Sequence, residues 1–216
     1  MTESVRCVFF DLDNTLYPKS SGVMQAIGDR INRFMVERLD IRPSDVARMR
    51  DDFLKAFGTT LNALRRYYPV DPDEFLDFVH DLPLERHLGP SPELDRMLGR
   101  MEERKIVFTN ADARHARKVL SRLGVLGRFE SIIDIHMLDF VNKPHRRAYL
   151  TALDFASARP EECLLVEDST ANIVAANEMG ITTVLVREGT PKNAAHHHIQ
   201  RITDLEEVLR SLKERG

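Results

Sequence analysis

Residues 5–15 read VRCVFFDLDNT, a short apolar run that stops at two acids spaced two residues apart. Such a run is typical of a strand buried on both faces of a parallel sheet. Similar runs recur at residues 105–109, 131–135, 163–166 and 182–186. Helical periodicity separates them, at residues 93–103, 113–123, 144–155 and 171–179. This alternation predicts an α/β fold with a doubly wound parallel sheet, a Rossmann-like core.

The interval from residue 17 to residue 88 interrupts the alternation. It has no strand pattern, and helical patterns are predicted at residues 21–39, 44–57, 60–68 and 72–81. Ser44 and Asp71 are the expected N-caps of two of these helices, because their oxygens accept hydrogen bonds from free backbone N–H groups. We therefore predict an all-helical domain at residues 17–88, inserted into a core formed by residues 1–16 and 89–216.

Composition and charge exclude several classes of function. The net charge of −3 gives no general attraction to nucleic acid polymers or anionic membranes. There is no apolar run of about 18 residues and no signal-peptide pattern, so a cytoplasmic protein is expected. Cys7 and Cys163 both lie in apolar runs, which predicts two buried, reduced thiols. The oligomeric state is not predicted.

The acid pair that follows the first strand is the strongest indication of chemistry. In an extended chain, Asp11 and Asp13 point to the same side, at the carboxyl end of a central strand where α/β sheets bind ligands. Two close carboxylates repel each other unless a cation such as Mg²⁺ relieves the repulsion. Asp11 could attack phosphorus as a nucleophile, and Asp13 could serve as general acid and base. The alternative interpretation is that both residues only cap a turn.

Polar residues also follow the later strands. Thr109 and Asn110 could hold phosphate oxygens, and Lys143 could neutralise charge on the transferring group. Glu167 and Asp168 could hold the metal. Each of these residues also has an ordinary interpretation. Thr109, Asn110, Glu167 and Asp168 could cap helices, and Lys143 could lie on a solvated surface. Together they supply what phosphoryl transfer requires, so we predict that they converge at one edge of the sheet.

Taken in order, these motifs resemble those of the phosphatases of the haloacid dehalogenase-like (HAD) superfamily. Residues 11–15, DLDNT, resemble its first motif, Thr109 its second, Lys143 its third, and Glu167 with Asp168 its fourth. The resemblance implies a Mg²⁺ cofactor held by the Asp11 carboxylate, the Asp13 backbone carbonyl and Asp168, with Glu167 close by. It also implies that the inserted helical domain is a cap over the cleft.

A narrower resemblance connects the chain with the pyrimidine 5′-nucleotidase group. It is carried by residues 10–18 (FDLDNTLYP), 58–61 (GTTL), 108–111 (FTNA), and 167–169 (EDS) followed by 172–173 (NI). It implies hydrolysis of a nucleoside 5′-monophosphate. Glu167 departs from this group, which commonly has aspartate there, and is similar to the residue of sugar-phosphate phosphatases and phosphomutases. Such an enzyme is the alternative, and a non-catalytic ligand-binding protein is a further one.

Two minor features have simple interpretations. Thr59, Thr60 and Arg65 of the helical domain are candidate substrate contacts, although Arg65 also suits a solvated helix face. Three adjacent histidines, His196, His197 and His198, are expected to form a solvated loop, because they cannot all face one metal ion in a regular element.

Overall fold

The computed structural model describes residues 5–189 and 194–215. These residues form one sheet of six parallel strands: β1 (Cys7–Phe10), β2 (Arg104–Phe108), β3 (Ser131–Ile133), β4 (Cys163–Glu167), β5 (Thr182–Val186) and β6 (His197–Ile199). The strand order is β3-β2-β1-β4-β5-β6. The predicted doubly wound α/β fold is confirmed.

The chain divides into two compact units, one of Met1–Pro18 with Leu88–Gly216 and one of Lys19–His87. The helices of the second unit are α1 (Val23–Leu39), α2 (Pro43–Phe57), α3 (Thr60–Tyr67) and α4 (Pro72–Val79). Those of the first unit are α5 (Pro92–Arg100), α6 (Ala113–Leu123), α7 (Arg146–Ala156), α8 (Thr170–Glu178) and α9 (Leu205–Arg215). We call the first the core unit and the second the helical unit.

The central strand β1 is buried on both faces. Cys7 and Phe9 belong to a core cluster that includes Tyr149 of α7. Val8 and Phe10 point to the opposite face, and both are fully buried. In the neighbouring strands, residues 106–108 of β2 and residues 163–166 of β4 are also buried, which explains why these stretches are continuous apolar runs rather than alternating ones.

The order of the strands determines where a ligand can bind. From β1 the chain passes to β2 and β3 on one side, and then crosses to β4, β5 and β6 on the other. The reversal of direction opens a crevice outside the carboxyl ends of the strands on either side of it. Residues that follow β1, β2 and β4 therefore lie around this switch point.

The helical unit has an aromatic and aliphatic core of its own. Phe34 of α1 packs edge-to-face against Phe75 of α4, with ring centroids 5.0 Å apart. Asp71 is the N-cap of α4 as predicted, accepting the N–H groups of Asp73 and Glu74. The predicted cap Ser44 is wrong: α2 begins one residue earlier, at Pro43, because proline suits the first helical position.

Two further predictions can be compared with the structure. His197 and His198 lie in β6, which pairs with β5, so the expected loop is in part an edge strand. Three residues are too few to give a periodic signal, and an edge strand needs hydrogen bonds to one neighbour only. Cys7 and Cys163 are buried free thiols, as expected. Within the described part of the chain, no helix has both the length and the apolar character needed to span a bilayer.

Candidate active site

The predicted site residues of the core unit lie at one rim of the sheet. Asp11 directly follows β1, and its backbone N–H donates to Val166 O of β4 at 2.9 Å. Thr109 directly follows β2, and its N–H donates to Ile133 O of β3 at 3.0 Å. Glu167 is the last residue of β4. Because these strands are adjacent and parallel, residues far apart in sequence become neighbours.

Lys143 joins the ends of three strands through one ammonium group. Its Nζ donates to Asp11 Oδ1 at 2.9 Å, to Glu167 Oε2 at 2.8 Å and to Phe108 O at 2.7 Å. The side chain is 0% exposed. Burial by itself would lower the pKa of this lysine, but the carboxylates of Asp11 and Glu167 outweigh it and raise the pKa above its ordinary value. The lysine is therefore charged at neutral pH.

The Asn110 side chain positions the backbone of Lys143. Its Oδ1 accepts the Lys143 N–H at 2.8 Å, and its Nδ2 donates to Lys143 O at 3.1 Å. Asn142 Nδ2 donates to the same carbonyl at 2.5 Å. The Lys143–Pro144 peptide bond is cis. Asn110 thus connects the end of β2 to the lysine loop, a structural contact separate from its predicted role in phosphate binding.

Glu167 is held through both carboxylate oxygens. Oε1 accepts the backbone N–H groups of Asp168 at 3.1 Å and Ser169 at 3.0 Å, ahead of α8. Oε2 accepts Lys143 Nζ and also Asn172 Nδ2, the latter at 3.0 Å. Burial raises the pKa of this carboxyl, against the effect of Lys143. Glu167 therefore fixes the position of the lysine and of the turn that carries Asp168.

Three carboxylates are close enough together to share one cation. Asp11, Glu167 and Asp168 can each place an oxygen within 4.8 Å of the others. Burial, with a contribution from Glu167, raises the pKa of Asp11 to about 7, although Lys143 opposes the change. Burial and the charge of Asp11 raise the pKa of Asp168. One lysine cannot neutralise three carboxylates, so the cluster fits a hard divalent cation such as Mg²⁺.

The Asp13 carboxylate lies outside that cluster and has donors of its own. Tyr17 Oη donates to Asp13 Oδ1 at 2.5 Å, and His115 Nε2 lies 3.0 Å from the same oxygen. Asp11 is held by a different set, since Thr15 Oγ1 donates to Asp11 Oδ2 at 2.9 Å. The two acids therefore have separate surroundings.

Sequence reasoning missed Thr15, Tyr17 and His115. Thr15 and Tyr17 each lie four residues after the acid that they contact, a spacing that could have been noticed within the first motif. His115 has no such signal, because it is 102 residues from Asp13 in sequence and is brought to it by α6.

The remaining predicted contacts have structural partners. Thr109 is 1% exposed, and its Oγ1 accepts the Ala111 N–H at 3.0 Å. In the helical unit, Thr59 is the N-cap of α3, accepting the Asn62 N–H at 3.2 Å, and Thr60 is buried. Arg65 is exposed. Their roles toward a substrate stay predictions.

A family model, several relatives and several solved structures match this chain. The model of a family described as haloacid dehalogenase-like hydrolase matches residues 5–180. The glyceraldehyde 3-phosphate phosphatase of Methanopyrus kandleri is 27% identical in an alignment of 232 positions that covers 96% of this chain and 98% of that protein. Phosphate metabolism protein 8 of Saccharomyces cerevisiae is 26% identical over 192 residues, 82% of this chain but only 60% of that protein. A HAD phosphatase structure from Thermococcus onnurineus shares the fold, with a TM-score of 0.65 at 18% identity over 95% of this chain and 98% of that one.

Proposed function

Because the chain belongs to the haloacid dehalogenase-like hydrolase family, we propose that it is a phosphatase acting on small-molecule phosphate monoesters through an aspartyl phosphate on Asp11. The observation that carries the proposal is the buried ammonium of Lys143, which contacts Asp11 and Glu167 at the switch point of the sheet. A cation beside a carboxylate lowers the repulsion that an anionic phosphate would meet there.

The reaction has two displacements at phosphorus. An Asp11 carboxylate oxygen forms a bond to phosphorus while the ester P–O bond breaks, and Asp13 gives its proton to the leaving oxygen. Asp13, now ionised, takes a proton from water, and the water oxygen attacks the phosphorus of the aspartyl phosphate. The bond between the Asp11 oxygen and phosphorus breaks, so inorganic phosphate leaves and the Asp11 carboxylate is restored. Lys143 and the hydroxyl of Thr109 position the phosphoryl oxygens.

The proposed cofactor is Mg²⁺. The Asp11 and Asp168 carboxylates and the Asp13 carbonyl would hold it, and Glu167 would orient Lys143 and the Asp168 turn beside it. When bound, the ion would neutralise charge on the transferring phosphoryl group. The excess of carboxylates over lysine at this rim is the feature of the chain that supports a cation.

The proposed substrate is a nucleoside 5′-monophosphate, because several motifs of the chain resemble those of the pyrimidine 5′-nucleotidase group. A sugar phosphate is the second candidate, because the chain is 27% identical to a glyceraldehyde 3-phosphate phosphatase over 98% of that protein. The inserted helical domain, predicted at residues 17–88 and bounded at Lys19–His87 in the structure, is proposed to act as a cap domain that limits water entry. Arg65 is the exposed cationic candidate for a substrate contact in this domain.

A phosphate-release panel tests the activity. Nucleoside 5′-monophosphates, triose phosphates and hexose phosphates are assayed with Mg²⁺ and with EDTA. We expect release that depends on Mg²⁺, highest for nucleotides, and a loss of at least about 10³-fold in the Asp11→Asn variant. A higher rate for a sugar phosphate would replace the nucleotide by the second candidate.

The matched control is Asp139→Asn, the same change at a carboxylate whose side chain is 79% exposed. It should keep wild-type activity. A loss of activity in Asp11→Asn would then be due to the change in the site and not to the preparation of the variant protein. Phosphate release that survives Asp11→Asn would refute the aspartyl-phosphate route.

A further inference from the structure

Two buried side chains converge on one oxygen of Asp13, and the reaction steps above assign no role to either. Tyr17 Oη donates to Oδ1 at 2.5 Å, and His115 Nε2 lies 3.0 Å from the same atom. Tyr17 is 2% exposed and the His115 side chain is 0% exposed, whereas that of Asp13 is 17% exposed. The carboxylate that must reach the substrate is therefore held from behind by groups that solvent does not reach.

We propose that His115 and Tyr17 are positioning residues that hold the Asp13 carboxylate in the orientation for proton exchange with the leaving oxygen. This inference rests on the proposed function, because it concerns the acid and base of that reaction. Neither residue needs to touch the substrate, since both act through Asp13.

The two donors come from independent parts of the core unit, which makes the arrangement rigid. Tyr17 follows Asp13 by four residues in the segment after β1. His115 lies in the first turn of α6, where its backbone N–H donates to the N-cap Asp112 at 2.9 Å. The next residue, Ala116, is fully buried. Rotation of the carboxylate would break two hydrogen bonds anchored in different elements.

Both groups are suited to donate. Burial, with the charge of Asp13, raises the pKa of Tyr17 above its ordinary value, so its phenol stays protonated at neutral pH. An ionised carboxylate only accepts hydrogen bonds, so His115 must carry a proton on Nε2 in this contact. The two donors on Oδ1 therefore hold the Asp13 carboxylate in one orientation for proton transfer.

Loss of this orientation should affect leaving groups unequally. An alkoxide needs a proton as the ester bond breaks, whereas p-nitrophenolate is stable without one. General acid catalysis contributes roughly 10²–10⁴-fold where it is needed. Weakening the hold on Asp13 should therefore reduce kcat/KM more for benzyl phosphate than for p-nitrophenyl phosphate, two esters of similar size.

The test compares His115→Leu, His115→Gln and Tyr17→Phe with the wild type on these two esters. We expect His115→Leu and Tyr17→Phe to lower kcat/KM for benzyl phosphate at least about tenfold more than for p-nitrophenyl phosphate. His115→Gln, which keeps an N–H at similar reach, should recover most of the difference. A purely structural role would lower both values by the same factor and would give no selective rescue by glutamine.

Equal losses on the two esters, or no loss on benzyl phosphate, would overturn the inference. If His115→Leu does not fold, Tyr17→Phe decides, because it removes a single oxygen and keeps the ring. A wild-type protein that releases no phosphate from these esters or from any member of the nucleotide and sugar-phosphate panel would refute the proposed function and this inference with it. Wild-type turnover that Asp11→Asn abolishes, combined with unselective losses at positions 17 and 115, would refute the inference alone.

Discussion

Replacing Lys143 by methionine tests the electrostatics on which the site depends. Methionine has a similar length but no charge, so the change leaves Asp11 and Glu167 buried without their cation. At an effective dielectric constant of about 20, each of the two contacts, at 2.9 and 2.8 Å, contributes roughly 6 kcal/mol of attraction before the cost of dehydration. One carboxyl can take up a proton once the lysine is gone, which limits the loss. We expect a net destabilisation of about 3–5 kcal/mol.

The assay is urea unfolding followed by far-UV circular dichroism at pH 7.5 in EDTA. Lys213→Met is the matched control, because Lys213 also contacts two carboxylates, those of Glu102 at 3.1 Å and Glu103 at 3.0 Å. The Lys213 side chain is 50% exposed and that of Glu102 is 87% exposed, so solvent screens this pair, although the Glu103 side chain is only 4% exposed. The loss should therefore be smaller than for Lys143→Met, about 1–2 kcal/mol.

Adding Mg²⁺ should return part of the stability lost in Lys143→Met, because a divalent cation replaces the missing positive charge. Mg²⁺ should have little effect on the difference in stability between Lys213→Met and the wild type. If Lys143→Met in EDTA is as stable as Lys213→Met, then the buried carboxylates do not depend on the lysine and the reasoning is refuted.

Three further outcomes follow from the same contacts. Burial raises the pKa of Asp11 to about 7, well above the ordinary value of an aspartate, so the metal-free protein loses stability as pH rises from that ordinary value through 7. Asp11→Asn should therefore increase the free energy of unfolding in EDTA, and urea unfolding should show a gain roughly 2 kcal/mol larger at pH 8 than at pH 5; an equal gain at both pH values would contradict the raised pKa. Asn110→Ala removes both hydrogen bonds to the Lys143 backbone and should cost about 1–3 kcal/mol of unfolding free energy in urea. Asn110→Asp keeps one acceptor and should lose an intermediate amount. Thr59→Ala removes the cap on Asn62 N–H and should cost about 1 kcal/mol by thermal unfolding, and Thr59→Ser should restore it; no loss would mean that the cap is dispensable.

The sequence was informative about the core unit because its signals are local. The run at residues 7–10 is apolar at every position because both faces of β1 are covered. Asp11 and Asp13 could be placed at the carboxyl end of this strand because a parallel sheet aligns those ends. The N-cap at Asp71 was predictable for the same reason, since a cap contacts residues two and three positions away.

Errors occurred where local signals compete or are too short. Ser44 has the side chain of a cap, but the proline before it suits the first helical position, so the helix begins earlier. The strand β6 has three residues, two of them histidines, and it is defined by its pairing with β5 rather than by its own pattern. Propensity could not predict a strand that depends on a neighbour.

By itself the sequence determined the strand–helix alternation, the helical interval and the types of residue at the strand ends, because each depends on spacing over a few positions. Only the tertiary structure decided which polar groups meet. In the fold, Lys143 contacts the carboxylates of Asp11 and Glu167, and the side-chain amide of Asn110 forms two hydrogen bonds to the backbone of Lys143. His115 contacts Asp13, although the two residues are 102 positions apart in sequence. Such contacts arise from the order of strands and the packing of helices, which link residues that have no fixed spacing along the chain.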